Sequence, residues 1–332
     1  MRLAIEEAKK GLGLTSPNPP VGAVIVSSSG DVLGKGWHKK AGAPHAEVEA
    51  FRDAESKGND VSGATLYVTL EPCSTHGRTP PCAEAVIHNK ITHVEIGTLD
   101  PNPDHAGRAL DIFKAKGITA NVGQLEDEAL QLIRFFQKHQ LTGRPYVIAK
   151  SAITLDGRTT LPAERGQWIS SPESRLDVQR LRQQVDAIMV GGATARIDNP
   201  SLTLRGEFAE GRPQPKRVIL TQSGEIPESL NLLTDSYSDT TEIFKGELQS
   251  SLEALGKQGI CSVLLESGGK LLAHALSRGL VDELVLYLGP LIGGGGTPVM
   301  ADSDYLADLE ITHSQMIGPD IKLVAHPRAV AS

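Results

Sequence analysis

Three cysteines in 332 residues are too few, and odd in number, for a disulfide framework. Cys73, Cys82 and Cys261 are left with metal binding or burial. The chain has no basic excess: 33 Lys and Arg stand against 40 Asp and Glu, for a formal net charge of −7. Aromatic residues make up only 4%. A phosphate-tracking surface and stacking platforms for single strands are therefore both missing, and nucleic acid is not expected as a partner. No apolar run approaches the ~18 residues of a membrane helix, so no membrane partner is expected either. The opening MRLAIEEAKKGLG mixes charge into a helical pattern without an apolar signal core, which points to a cytoplasmic protein. No Gly-x-Gly-x-x-Gly follows a strand, which argues against an ordinary Rossmann dinucleotide site.

Hydrophobic residues at 39% and charged residues at 22% are ordinary for a globular protein. The length suggests two domains. Strand signals at 21–26, 32–38, 64–70, 93–99 and 118–124 alternate with helical segments at 1–11, 44–58, 81–90, 107–117 and 125–138. Strands separated by helices in this way predict an α/β layered domain. The stretch LTGRPY (141–146) reads as the boundary, giving domains 1–143 and 144–332. Beyond it, strands are predicted at 147–154, 185–192, 217–221, 261–269 and 282–290, with a helix at 270–279 and loops over 223–240.

The chemistry concentrates in two segments, Pro44-His45-Ala46-Glu47 and Glu71-Pro72-Cys73 running to Pro80-Pro81-Cys82. One imidazole and two thiolates are a catalytic zinc donor set, with water as the fourth ligand. His-x-Glu followed by Pro-Cys is the signature of zinc deaminases, in which the glutamate moves protons without binding metal. Here eight residues, not two, separate the cysteines, so STHGRTPP must loop back to return Cys82 to the metal. Cys82 opens a predicted helix, whose N-terminus favours a thiolate. Glu47, two residues after His45, points to another side of its helix and can serve as general base and acid. Other readings stay open: a lone cysteine is often a buried hydrophobe, and His76 could close a purely structural zinc site as a fourth ligand.

The loop Cys73–Cys82, together with TSPNPPVGAV (15–24), HAE (45–47) and DPNP (100–103), resembles the deaminase half of the RibD family. These are the bifunctional diaminohydroxyphosphoribosylaminopyrimidine deaminases / 5-amino-6-(5-phosphoribosylamino)uracil reductases of bacterial riboflavin biosynthesis. The second half is similar as well, through AKSAITLDGR (149–158), QWISS (167–171), DAIMVG (186–191), DNPSLTLR (198–205) and VDEL (281–284). The resemblance implies a cytidine-deaminase-like α/β/α sandwich followed by a dihydrofolate-reductase-like α/β domain. It implies one zinc per chain and NADPH as cofactors. It also implies a phosphorylated ribosylaminopyrimidine as substrate, and self-assembly into a homo-oligomer.

On these positions the resemblance makes Asn18, His76 and Arg78 substrate contacts of the deaminase. In the reductase, Ala152, Trp168, Thr194, Asp198, Gly268 and Gly269 correspond to the NADPH site. Lys150, Arg182, Leu202, Arg205 and Glu266 correspond to the substrate site. A pair of arginines suits a phosphorylated substrate, because the guanidinium fork matches phosphate oxygens. Taken alone, Trp168 and Leu202 could be packing residues, Lys150 a snorkelling surface lysine, and Arg78 a neutral loop residue. The chain departs from the family pattern at Gly166, where a serine is usual, and at Thr221-Gln222, where Asp-Ser or Asp-Thr is usual. It departs again at Ile133, in place of an asparagine, and in a slightly longer His45–Cys73 interval.

Overall fold

The alternating strands and helices fold as two α/β units, Met1–Gly143 and Arg144–Ser332. The computed structural model describes residues 1–75, 81–103, 105–166, 168–301 and 308–328. His76, Arg78 and Gln167 lie outside the described residues.

The first unit runs α1 (Arg2–Lys9), β1 (Gly22–Val26), β2 (Val32–Trp37), α2 (Ala46–Ser56), β3 (Thr65–Leu70), α3 (Cys82–His88), β4 (His93–Thr98), α4 (Arg108–Ala115), β5 (Thr119–Val122) and α5 (Glu126–Thr142). The sheet order is β2-β1-β3-β4-β5, antiparallel across the first three strands and parallel across β3, β4 and β5. One apolar cluster packs Ala46 and Ala50 of α2, Val86 of α3 and Phe113 of α4 against one face of the sheet. A second packs Ile5 of α1 and Leu132 and Ile133 of α5 together with Leu70. The result is an α/β/α sandwich. Ile133 is fully buried in that second cluster, so the place of the family asparagine is taken by core packing.

The seating of α2 depends on two glycines of β2. A Cβ on Gly34 would lie 2.4 Å from the Ala50 carbonyl oxygen, and one on Gly36 2.4 Å from the Ala50 nitrogen. Without those methyl groups the alanine face of α2 rests directly on the strand, and this sets the depth of the helix start that carries His45 and Glu47.

The second unit runs β6 (Tyr146–Thr154), α6 (Pro172–Arg182), β7 (Ala187–Gly191), α7 (Gly192–Asp198), β8 (Lys216–Thr221), α8 (Asn231–Thr234), β9 (Thr241–Lys245), α9 (Leu248–Lys257), β10 (Ser262–Glu266), α10 (Gly269–Ser277), β11 (Glu283–Gly289), β12 (Leu309–Ile317) and β13 (Asp320–Pro327). The eight strands are ordered β12-β13-β11-β6-β10-β7-β8-β9. From β11 to β9 every pairing is parallel, and β13 and β12 add an antiparallel edge. The central strands are buried on both faces and so read as continuous apolar runs.

Several elements escape the sequence reading. The 223–240 stretch, expected as loops, contains the one-turn α8. Helix α9 buries Leu248, Leu252 and Leu255 at helical spacing. Strand β12 is exposed along almost its whole length, so it has no alternating apolar pattern to betray it. Strand β9 is half exposed for the same reason.

Candidate active sites

His45 is the N-cap of α2, in extended conformation (φ −73°, ψ 166°), one position earlier than its expected place in the first turn. Cys73 follows β3, and Cys82 is the first residue of α3. Their ligand atoms all lie within 4.8 Å of one another. His45 Nδ1 is 3.5 Å from Cys73 Sγ and 3.3 Å from Cys82 Sγ. Tetrahedral zinc, with bonds of about 2.3 Å to sulfur and 2.0–2.1 Å to nitrogen, separates such atoms by roughly 3.5 Å. The donor set fits zinc in both chemistry and spacing.

Electrostatics supports the same use. The Cys73 thiol is pulled down to about 4, first by its hydrogen bond with the Cys82 side chain and then, against burial, by the one with His45. The Cys82 thiol is pushed upward, first by that same Cys73 bond and then by burial. A divalent cation bound between the two sulfurs would favour both as thiolates. The Cys82 N–H donates to Cys73 Sγ at 3.2 Å, so the helix start serves its neighbour.

Glu47 is buried at 3% exposure in the first turn of α2. Burial, and then the Cys73 charge, raise its carboxyl to about 7, against the pull of His45. A carboxyl held in that range beside three metal donors can both accept and release a proton near neutrality.

Asn18 reaches this site through a residue that the sequence analysis missed. Its Nδ2 lies 3.0 Å from His38 Nε2, and His38 Nδ1 lies 3.0 Å from the Pro44 carbonyl. The His38 ring meets the His45 ring edge-on at 5.3 Å. His38 therefore links the Asn18 turn to the segment that holds the metal ligand. The available signal was a histidine placed directly after β2. Glu71 was missed too. Its buried carboxylate accepts backbone N–H groups from Asp100, Gly107 and Ala109, which ties the DPNP loop beside Cys73.

In the second unit the C-terminal ends of β6, β10, β7 and β8 open into a cleft of about 1910 Å³. Ligand sites of drug size commonly span roughly 300–1,000 Å³, so this one has room for a dinucleotide and a second ligand. All eleven residues expected in the reductase site line it: Lys150, Ala152, Trp168, Arg182, Thr194, Asp198, Leu202, Arg205, Glu266, Gly268 and Gly269. Glu266 on β10 pairs in register with Lys150 on β6. Arg182, at the end of α6, grips Glu266 with two hydrogen bonds of 2.6 and 3.1 Å, and Lys150 stands 3.9 Å away. Burial alone would raise the Glu266 carboxyl, but Arg182 and Lys150 outweigh it and hold it at about 2. Burial lowers Lys150, which faces inward and is no snorkelling lysine.

Gly268 and Gly269 open α10. A Cβ on Gly268 would lie 2.6 Å from Thr159 Cγ2, so only glycine leaves that wall open. Next to it, Ser267 Oγ is buried without a hydrogen-bond partner among the described residues. A bare backbone at a helix start with an unmet hydroxyl beside it fits the phosphates of a dinucleotide. Leu202 is buried at φ +50°, a conformation that is uncommon away from glycine and that clusters at functional sites. Gly166 leaves open space where the family serine would stand, and Gln222 donates to the Gly246 carbonyl at 3.1 Å. Two contributors went unread: Arg175, whose guanidinium lies 4.8 Å over the exposed Trp168 ring, and Gln179, which accepts from the Arg205 N–H. Both sit on α6, announced by Ser171 capping a helix with Pro172 in its first turn.

The first site is that of a zinc-dependent deaminase, and the second unit is an α/β domain whose cleft fits a dinucleotide. The cytidine and deoxycytidylate deaminase zinc-binding region matches residues 1–98, and the RibD C-terminal domain matches residues 145–323. The riboflavin biosynthesis protein RibD of Bacillus amyloliquefaciens is 38% identical over 99% of this chain and 95% of its own. Among solved structures, Acinetobacter baumannii RibD (form 1) superposes with a TM-score of 0.89 at 37% identity, over 99% of this chain and 98% of its own. A Thermotoga maritima protein described as a diaminohydroxyphosphoribosylaminopyrimidine deaminase / 5-amino-6-(5-phosphoribosylamino)uracil reductase superposes with a TM-score of 0.89 at 35% identity, over 99% and 97% of the two chains. The chain belongs to the RibD family. It joins a zinc-dependent deaminase to an NADPH-dependent reductase. Among the described residues, no helix is long and apolar enough to cross a membrane.

Proposed function

We propose that the first unit removes the C2 amino group of 2,5-diamino-6-(5-phosphoribosylamino)pyrimidin-4(3H)-one as ammonia, and that the second then reduces the ribosyl group to a ribityl chain. The observation that carries this reading is the convergence of His45, Cys73 and Cys82 beside the buried Glu47. Zinc in that donor set supplies Lewis-acid activation of water. Glu47 takes the proton of the attacking water and returns it to the departing amine. A closed structural zinc site would have no use for a buried carboxyl there. Asn18, steadied by His38, offers an amide to the edge of the pyrimidine. His76 and Arg78, in the cysteine loop, complete the substrate contacts.

NADPH supplies the hydride for the second reaction. Ala152, Trp168, Thr194, Asp198, Gly268 and Gly269 hold it. Arg182 and Lys150, fixed by Glu266, together with Arg205 and Leu202, orient the phosphorylated sugar. The net charge of −7 supports a small anionic substrate held by a few placed cations, not a nucleic acid. We infer a cytoplasmic homo-oligomer assembled through the second unit. Edge strand β12 exposes Leu309, Ile311 and Met316, which supports that surface. A coupled assay on the phosphoribosyl pyrimidinone, scoring ammonia release and NADPH consumption separately and accompanied by metal analysis, tests the whole reading. Ammonia release without NADPH consumption on the deaminated product would leave only the first half standing. Sedimentation measures the assembly.

A further inference from the structure

Most cations around the reductase cleft are engaged. Lys150 and Arg182 share Glu266, and Arg175 lies over Trp168. Arg196 differs. It lines the cleft from α7, is exposed, and has no carboxylate partner among the described residues. Its Nη1 donates to the Glu225 carbonyl at 3.2 Å. The same Nη1 lies 3.3 Å from where a Cβ on Gly192 would stand, and the Thr221 side chain lies 3.1 Å from that point. The guanidinium therefore sits in the notch between the ends of β7 and β8. The cleft wall continues there with Thr221, Gln222 and Ser223, none of them charged.

We propose that Arg196 reads the 2′-phosphate of NADPH and so sets the preference for NADPH over NADH. The inference rests on the NADPH reading of this cleft. A guanidinium fork flanked by hydroxyl and amide groups suits a dianionic phosphomonoester. A carboxylate at that strand end would instead accept the ribose 2′-hydroxyl and repel a phosphate; residues 221–223 carry none, and Glu247, which lines the cleft beyond β9, turns to His274 at 3.5 Å. The position also agrees with the rest of the cleft. The bare glycines that fit the pyrophosphate lie at the end of β10, and β7 stands between β10 and β8. Between one and two strand spacings, roughly 5–10 Å, separate the two places, a gap that one nucleoside can span. Arg205, which also lines the cleft, has its backbone N–H on Gln179 of α6 and stands with Arg182 on the substrate side.

The test is equilibrium titration of the full chain with NADPH and with NADH, followed by nucleotide fluorescence, for the wild type, Arg196→Ala and Arg196→Lys. The proposal expects Arg196→Ala to raise the Kd for NADPH about 10- to 100-fold while the Kd for NADH moves less than about twofold. Arg196→Lys should recover part of the loss. Adenosine 2′,5′-bisphosphate should displace NADPH from the wild type far better than 5′-AMP, and this advantage should vanish in Arg196→Ala. Because the side chain is exposed, the melting temperature should shift by no more than about 2 °C. Equal weakening of both dinucleotides, or an unchanged Kd for NADPH, overturns the proposal while leaving the reductase reading intact. A wild type that binds neither dinucleotide overturns both.

Discussion

The two sites of this chain are built in opposite ways. The deaminase site is small and half-buried, with donors from two short segments, residues 45–47 and 73–82, each set at a helix start. The reductase cleft is wide and is assembled from strand ends and helices spread between Lys150 and Thr297. In the first, specificity for the chemistry resides in donor types held at metal-ligand spacing. In the second, no single residue defines the chemistry, and the sheet order decides which side chains face one another. A compact site is therefore expected to fail all at once, and a distributed one by degrees.

Removing the metal gives the sharpest contrast. Dialysis against a strong zinc chelator should abolish ammonia release, leave NADPH oxidation on the deaminated product unchanged, and be reversed by added zinc. Next in size is Glu47→Gln, which should lower deaminase kcat by about 10²- to 10⁴-fold. Zinc content, measured by metal analysis, should stay at one per chain, and retained turnover would remove Glu47 from the mechanism.

In the distributed site, Arg182→Ala leaves Glu266 buried with only Lys150 at 3.9 Å. Breaking a buried pair in this way costs about 3–5 kcal/mol, so reductase kcat/KM and melting temperature should fall together while deaminase activity survives. The same carboxylate predicts an acid limit. Glu266 titrates at about 2 in the fold against an ordinary 4.5. Its contribution, on the order of 3 kcal/mol, is therefore present in full above the unfolded value and is lost as the pH falls from about 5 toward 2. Acid unfolding followed by circular dichroism should show this loss, and Glu266→Gln should flatten it. The smallest expected effect is Gly36→Ala, whose methyl would press on the Ala50 nitrogen at 2.4 Å. Such overpacking costs about 1–3 kcal/mol. A lowered melting transition with reduced zinc retention would tie the seating of α2 to the metal site.

Much of the first unit was legible in its residues. The strand and helix pattern, the three donors and Glu47 are all local signals, because a histidine before a helix and cysteines after a strand and at a helix start carry their own geometry. The roles of His38 and Glu71 were not legible, since His38 joins the Asn18 side chain to the Pro44 carbonyl and Glu71 gathers backbone N–H groups from residues 100–109. In the second unit, β7 and β10 were readable as apolar runs. Edge strands β9 and β12 were not, because β12 is exposed on both faces and β9 is only half-buried, so neither shows the alternation that marks a strand. Helix α6 was not predicted, although its Ser171-Pro172 start carries a local signal, and its polar face of Arg175, Gln179 and Arg182 follows at helical spacing.

By itself the sequence determined the metal chemistry, the two-part organisation and the family, because donor types and local spacing are properties of short segments. Only the tertiary structure decided that the Cys82 N–H serves Cys73, that β10 enters between β6 and β7 to bring Glu266 beside Lys150, and that Arg196 settles in the notch where β7 and β8 end. Those outcomes depend on strand order and register, which are set by how two sheets bury their faces and not by any one stretch of chain.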